Sequence, residues 1–273
     1  MKIRFRTMQV VASLVTLLLA VTTVNAQGDS SPVLQRIAKT KILRVGMTGE
    51  QPPFNVRNRD GKLIGMDVDL GQALARSMGV TLEIVEMPFA KLLPALEDGK
   101  VDIVMSGMTV TLRRNVRVPF VGPYHVSGKS MLARSDTMAA MQSAKELNTD
   151  KWKIAALRGS TSEEFVKSRL GKTKLTTTVN YDEAIDLLLE GKVDAVVADA
   201  PMCALTIMRY PDAGLVRLHK PLTIEPIGIA IAPGDALLVN LVGNYLQALR
   251  ASGVLEQVQK KWFEDGAWLV QLP

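Results

Sequence analysis

Cys203 is the one cysteine in the chain, so no internal disulfide can form and stability must come from a packed core. His125 and His219 are the only histidines. Without a Cys/His cluster a zinc or redox-metal site is not expected, and nothing implies a cofactor. A long apolar run is also lacking. The longest, Val10 to Val21, is shorter than the ~20 residues that a spanning helix needs. An excess of one charge is missing too. Residues 1–26 hold Lys2, Arg4 and Arg6 and no acid, so the remainder carries 30 basic and 27 acidic residues, a net of +3. That balance predicts neither a nucleic-acid partner nor strong membrane attraction.

What is present begins with a basic start, Met1-Lys2-Ile3-Arg4-Phe5-Arg6, followed by the apolar run and by Val24-Asn25-Ala26 ahead of Gln27. This three-part layout is that of a cleaved secretory signal, residues 1–26. No cysteine follows the run, so a lipid-anchored form is not expected. The protein is expected to start near Gln27 and to work free in an extracytoplasmic space. The 247 residues from there suffice for two domains of ordinary size.

Strand and helix patterns alternate along the chain. Leu43–Gly46 and Val80–Val85 read as strands, and Asp67–Met78 reads as a helix stopped by Gly79. Phe89, Leu92, Leu93 and Leu96 follow helical spacing up to Gly99, and Val101–Met105 is a short buried strand. Such alternation predicts a parallel sheet covered by helices. An internal echo sharpens this. Tyr181, Ala184, Ile185, Leu188 and Gly191 repeat the Phe89–Gly99 spacing 92 residues later. Gly99-Lys100-Val101-Asp102 returns as Gly191-Lys192-Val193-Asp194, and a strand follows each. Two chance helix–strand units would be the bland explanation; the matched register favours two similar lobes.

Ligands of open α/β sheets sit at the carboxyl ends of strands. The echoed strands end at Ser106-Gly107-Met108-Thr109 and at Ala198-Asp199, which should face a cleft between the lobes. One segment offers hydroxyls and amides, the other a carboxylate. Arg113 and Arg114 follow the first segment. An arginine there can grip a carboxylate through two parallel hydrogen bonds, or the two can be a solvated basic pair. Gly159-Ser160-Thr161-Ser162-Glu163 opens a helix; Ser160 and Glu163 fit a capping box, and the same helix start presents free amides to an anion. Asp199 is the natural partner for an ammonium group, or a structural aspartate at a strand end. One arginine, one amide nest and one carboxylate suit a zwitterion, whose buried charges must each be paired.

The sequence resembles the periplasmic substrate-binding proteins of ABC importers for polar amino acids. The likeness runs through Leu43-Arg44-Val45-Gly46, Pro53-Phe54 and Gly65-Met66-Asp67-Val68-Asp69-Leu70, then Gly99–Asp102, Ser106–Arg114 and Phe120–Tyr124. It continues through Gly159–Thr161, Gly191–Asp199, Glu225–Ile229 and Gly253–Phe263. The resemblance implies an α/β, two-lobed Venus-flytrap fold with two hinge crossovers, near His125-Val126 and Glu225-Pro226. Residues 27–125 and 226–273 would form one lobe and 126–225 the other. It implies a monomer that binds an amino acid in the periplasm and hands it to the membrane subunits of an ABC importer. The family's carboxylate-binding arginine falls on Arg114, and its hydroxyl and backbone contacts on Ser106, Gly107 and Thr109. Its second-lobe carboxylate contact falls on Ser160 and Thr161, its ammonium-binding aspartate on Asp199, and its wall residue on Phe89. Many relatives place an aromatic where this chain has Gln51, which replaces stacking with hydrogen bonding. Glu50 beside it would meet a cationic side chain or face solvent.

Two other readings compete. The chain also resembles periplasmic cyclohexadienyl dehydratases in Thr48-Gly49-Glu50 and Gly159–Phe165, with Glu163 as the proton-transferring acid. Alternatively, the chain is a ligand-binding input to a separate receptor. One fold hosts all of these activities, so fold alone does not choose among them.

Overall fold

The computed structural model describes residues 31–143 and 147–272; the expected signal segment lies outside them. The strands in chain order are β1 (Ile42–Met47), β2 (Glu50–Gln51), β3 (Asn55–Arg57), β4 (Leu63–Ile64), β5 (Thr81–Glu86), β6 (Ile103–Val104) and β7 (Phe120–Ser127). They continue with β8 (Lys129–Arg134), β9 (Lys153–Leu157), β10 (Lys174–Thr178), β11 (Ala195–Asp199), β12 (Leu215–Arg217) and β13 (Glu225–Ile231). They form two five-stranded sheets, β5-β1-β6-β13-β7 and β10-β9-β11-β8-β12, and a small sheet β2-β3-β4. The molecule is thus two-lobed, one large sheet to a lobe.

The expected parallel sheet is only half of each. β1 runs parallel to β5 and β6, and β9 parallel to β10 and β11. The other pairings are antiparallel: β13 with β6 and β7, β8 with β11 and β12. The cause is the crossover. β7 leaves the first sheet and passes through Gly128 straight into β8, and β13 returns alongside β7, with Pro226 opposite Val126 and Ile227 opposite His125. Two neighbouring connectors that run in opposite directions pair antiparallel.

The internal echo is real to the level of single hydrogen bonds. Helices Phe89–Glu97 and Tyr181–Leu189 are each followed by a glycine in the left-handed region, Gly99 at φ 67° and Gly191 at φ 72°. The next lysine amides donate five residues back, Lys100 to Ala95 and Lys192 to Leu187, both at 2.9 Å. Each following aspartate then clamps the neighbouring strand. Asp102 Oδ2 accepts from the Arg44 amide at 2.8 Å, and Asp194 Oδ2 from the Lys153 amide at 2.7 Å. Asp102 also takes Arg36 and Arg44 guanidinium groups. The two glycine–aspartate segments therefore register β6 on β1 and β11 on β9, and so place the strand ends that carry Ser106 and Asp199.

Gly65 brings the small sheet to the first lobe. Its φ is 141°, and a Cβ there would lie 2.1 Å from the Phe54 carbonyl oxygen. That close approach lets the Met66 and Asp67 amides donate to Pro53 and Phe54 at the start of helix Met66–Met78. Gly65→Ala should cost at least ~3 kcal/mol, from a backbone region closed to other residues plus overlap with main chain. Thermal denaturation of the variant checks this; an unchanged midpoint would mean that the approach is not needed.

Candidate functional site

The two strand ends bring together most of the residues singled out in the sequence. Arg114 sits in a four-residue helix, Leu112–Asn115, whose N-cap Thr111 accepts the Arg114 amide through its side chain. The same short turn separates the two arginines. Arg113 is 78% exposed and pairs with Glu164 at 2.7 Å. Arg114 is only 7% exposed. Its Nη1 donates to the Thr109 carbonyl at 2.8 Å and its Nη2 to the Gly159 carbonyl at 3.0 Å, on the other lobe. Burial pulls its pKa down, opposed by the charges of Glu164, Glu225 and Asp199. The guanidinium carbon stands 5.6 Å from the centre of the Phe89 ring, within cation–π range. Phe89 thus lies against Arg114 and is also a member of the core cluster that includes Leu92, Leu96 and Tyr181.

Thr109 is held to the crossover strand, because the Val110 amide donates to Pro226 and the Gly228 amide to Met108. Ser106 is fully buried; its hydroxyl donates to Gln51 Oε1 at 2.9 Å and accepts from the Thr48 amide and Asn55 Nδ2. Gln51 thus spends its Oε1 on the Ser106 hydroxyl. The Gly107 amide is taken by Asp67 Oδ2 at 2.9 Å. Glu50, next to Gln51 in β2, shows the opposite face, as strand alternation requires. It is exposed and lines a cavity of about 500 Å³ with Arg57, Asp182, Met202 and Arg209. Burial first, then the charges of Asp182 and Glu86, raise its pKa.

On the second lobe, Ser160 caps helix Thr161–Arg169, accepting from the Glu163 amide at 3.2 Å and donating to the Leu157 carbonyl at 2.6 Å. Its hydroxyl is thereby committed to the cap. The capping box is displaced by one residue, because Glu163 Oε2 accepts from the Gly159 amide rather than from Ser160. The Thr161 and Ser162 amides begin the helix and have no intrahelical acceptor. The Thr161 hydroxyl donates to Glu225 Oε2 at 3.0 Å.

The residue that sequence reading missed is Lys129. It is 2% exposed and lies directly opposite Asp199 across the β8–β11 pairing. Its Nζ donates to Asp199 Oδ1 at 2.6 Å and lies 4.0 Å from Glu225 Oε2. Tyr181 donates its hydroxyl to Asp199 Oδ2 at 3.2 Å, and Thr223 donates to Glu225 Oε1 at 2.8 Å. Asp199 is thus already paired. Arg114 and Lys129 face Asp199 and Glu225, two cations against two carboxylates. A charge-balanced set of buried groups favours a guest with no net charge but with separated poles. Nothing in the sequence flagged Lys129, a single lysine ahead of an apolar strand. Its role depends on which strand lies beside it.

Residues 43–265 match the family model described as bacterial extracellular solute-binding proteins, family 3. The chain is 32% identical over 244 residues to the L-arginine-binding protein of Pseudomonas aeruginosa, covering 84% of this chain and 91% of that one. It is 28% identical over 231 residues to the cyclohexadienyl dehydratase of the same organism, covering 85% and 86%. Among solved structures, an ancestral amino acid-binding protein called a precursor of cyclohexadienyl dehydratase superposes with a TM-score of 0.77. It is 37% identical, with 85% of this chain and 99% of that one covered. By the family match along most of its length and by the two-sheet fold, this chain belongs to the bacterial extracellular solute-binding proteins of family 3.

Proposed function

We propose that this protein captures a free amino acid between its lobes and has no catalytic task. The observation that carries the reading is a buried set of four charges where the two sheets meet: Lys129 paired with Asp199 and near Glu225, and Arg114 held by the Thr109 and Gly159 carbonyls within the field of both acids. Arg114 would hold the α-carboxylate, helped by Thr109, Phe89 and the first amides of helix Thr161–Arg169. Asp199 retains lone pairs for the α-ammonium, since a carboxylate offers about four acceptor positions and two are used. Ser106, Gly107, Ser160, Thr161 and Gln51 shape the cleft around it, whereas Glu50, on the opposite face of β2, is not placed against the ligand. Residues 27–125 with 226–273 would be one lobe and 126–225 the other, which the membership of the two large sheets supports. The protein would act in the periplasm as a monomer after losing residues 1–26, and deliver its ligand to the membrane subunits of an ABC importer.

An arginine-binding relative makes basic amino acids the first candidates. A thermal-shift screen of the common amino acids tests this, because a ligand of the folded state alone raises the midpoint by mass action. Basic amino acids should give the largest rise; no rise with any amino acid would overturn the reading. The dehydratase alternative needs Glu163 to carry a proton at neutral pH. Burial pushes the Glu163 pKa up, but hydrogen bonds from Lys167 and the Gly159 amide and the nearby positive charges outweigh it and leave it lowered. A carboxylate held in its ionised form is a poor proton donor. Mixing the protein with prephenate or arogenate should therefore leave the ultraviolet absorbance of either unchanged; turnover would replace the binding reading with the enzymatic one.

A further inference from the structure

Asp67 lies beneath the site and is used by none of the contacts proposed for the ligand. It is fully buried in the first turn of helix Met66–Met78, and among the described residues no basic side chain pairs with it. Three donors converge on it instead. The Gly107 amide reaches Oδ2 at 2.9 Å, Asn55 Nδ2 reaches Oδ2 at 3.1 Å, and the Tyr124 hydroxyl reaches Oδ1 at 2.6 Å. Each donor leads somewhere different. Gly107 belongs to the strand-end loop and has a φ of 54°, which its hydrogen bond to Asp67 holds. Asn55 accepts the Gly49 amide and Thr48 hydroxyl through its Oδ1 and donates to Ser106 as well, so its amide cannot turn over. Tyr124 is on β7, one residue before His125 at the crossover.

We propose that Asp67 is a positioning residue for the ligand cleft, tying the Ser106–Thr109 loop and the Thr48–Asn55 loop to the crossover strand through one buried carboxylate. The proposal rests on the amino acid reading of the cleft. Its consequence is a dependence of affinity on pH. Burial, opposed by the bonds from Tyr124, Gly107 and Asn55, raises the Asp67 pKa to about 6. Tyr124 is the titratable group that faces it; Gly107 and Asn55 bring uncharged donors. His125, next in the strand, is pushed down to about 4 by burial against the pull of Asp199, so it does not titrate in the same range.

The three donors fill three of the carboxylate's about four acceptor positions, two on Oδ2 and one on Oδ1. The Gly107 and Asn55 donors are fixed, whereas the Tyr124 hydroxyl can rotate. The new proton therefore goes on Oδ1, the oxygen with a position left, and removes the charge that strengthens all three bonds, the Tyr124 hydroxyl being the donor free to turn away. The Gly107 bond persists without its charge assistance. The sign for stability is opposite to that for binding. Because the folded-state pKa is raised, the folded form binds the extra proton between about 4 and about 6. Stability from this group is full below the unfolded value and declines as pH rises through 6. An ionised Asp67 is thus a stability cost that the loop geometry requires.

The test uses the full-length mature protein and the amino acid that gives the largest thermal shift. Wild-type affinity should fall roughly fivefold between pH 8 and pH 5, approaching tenfold at lower pH, for one unit of pKa difference between free and bound protein. Asp67→Asn mimics the protonated carboxyl. It should bind at pH 8 as weakly as wild type at that lower limit, with a flat profile and an unlowered melting midpoint. Tyr124→Phe removes a donor to the ionised form and should move the wild-type midpoint to higher pH. Asp102→Asn, a buried aspartate of the same lobe, should lose stability but keep the wild-type profile. In ligand-free protein the Gly107 amide resonance should titrate with a midpoint near 6 and stay fixed in Asp67→Asn. A wild-type profile in Asp67→Asn, or a Gly107 amide that does not titrate, overturns the proposal. If no amino acid binds while Gly107 still titrates, the reading of the cleft has failed and the hold of Asp67 on the loop stands.

Discussion

Arg114→Ala should lose most ligand binding, whereas Arg113→Ala should lose almost none. The two are neighbours in sequence and opposites in environment. Arg114 is nearly enclosed, spans the Thr109 and Gly159 carbonyls of the two lobes, and lies against Phe89. Truncating one partner of a buried charged pair costs about 2–5 kcal/mol. At roughly 1.4 kcal/mol per tenfold, affinity falls by more than tenfold and up to a few thousandfold. Arg113 has only the exposed pair with Glu164, worth under about 1 kcal/mol. Arg114→Lys should recover little, because an ammonium cannot present the planar fork that reaches two carbonyls and a carboxylate together. Calorimetric titration of the three variants with one ligand measures all of this. Equal losses for the two alanine variants would show a diffuse basic patch in place of a clamp.

The second large effect belongs to Lys129. Lys129→Met should destabilise the protein by about 3–5 kcal/mol, because removing one member of a buried ion pair strands the other. Here two carboxylates are stranded, Asp199 at 2.6 Å and Glu225 at 4.0 Å. For a protein of this size that is a fall in melting midpoint on the order of 10 °C. The deficit should shrink as pH falls, since protonation relieves an unpaired carboxylate, and Lys129→Met with Asp199→Asn should recover part of it. A loss under about 1 kcal/mol would mean that water or a shifted side chain already serves the two acids.

These two arginines and this lysine also mark how far the sequence could be read. The echo of Gly99–Asp102 in Gly191–Asp194 is legible because a glycine stop and an aspartate clamp are local, recurring within four residues of chain. The structure repeats even their hydrogen bonds. The strand ends follow from the echo, and with them Ser106, Thr109, the Arg113-Arg114 pair and Asp199 come toward one place, while the choice of Arg114 comes from the family resemblance alone. Strand order was not legible. Whether β8 lies beside β11, and so whether Lys129 meets Asp199, is settled by packing between segments 70 residues apart, for which no local pattern exists. The antiparallel half of each sheet escaped for the same reason. Glu50 and Gln51 show the converse limit, since the sequence leaves open whether Glu50 meets a ligand or faces solvent and a two-residue strand turns the two to opposite faces.

The central claim is that the cleft recognises both poles of an amino acid. The most direct measurement is calorimetric titration of one amino acid, its methyl ester and its Nα-acetyl derivative against the same protein. The account predicts saturable one-to-one binding of the amino acid and a loss of at least tenfold for each blocked form. The ester loses its hold on Arg114, and the acetyl form loses its hold on Asp199. Undiminished binding of either blocked form would contradict it.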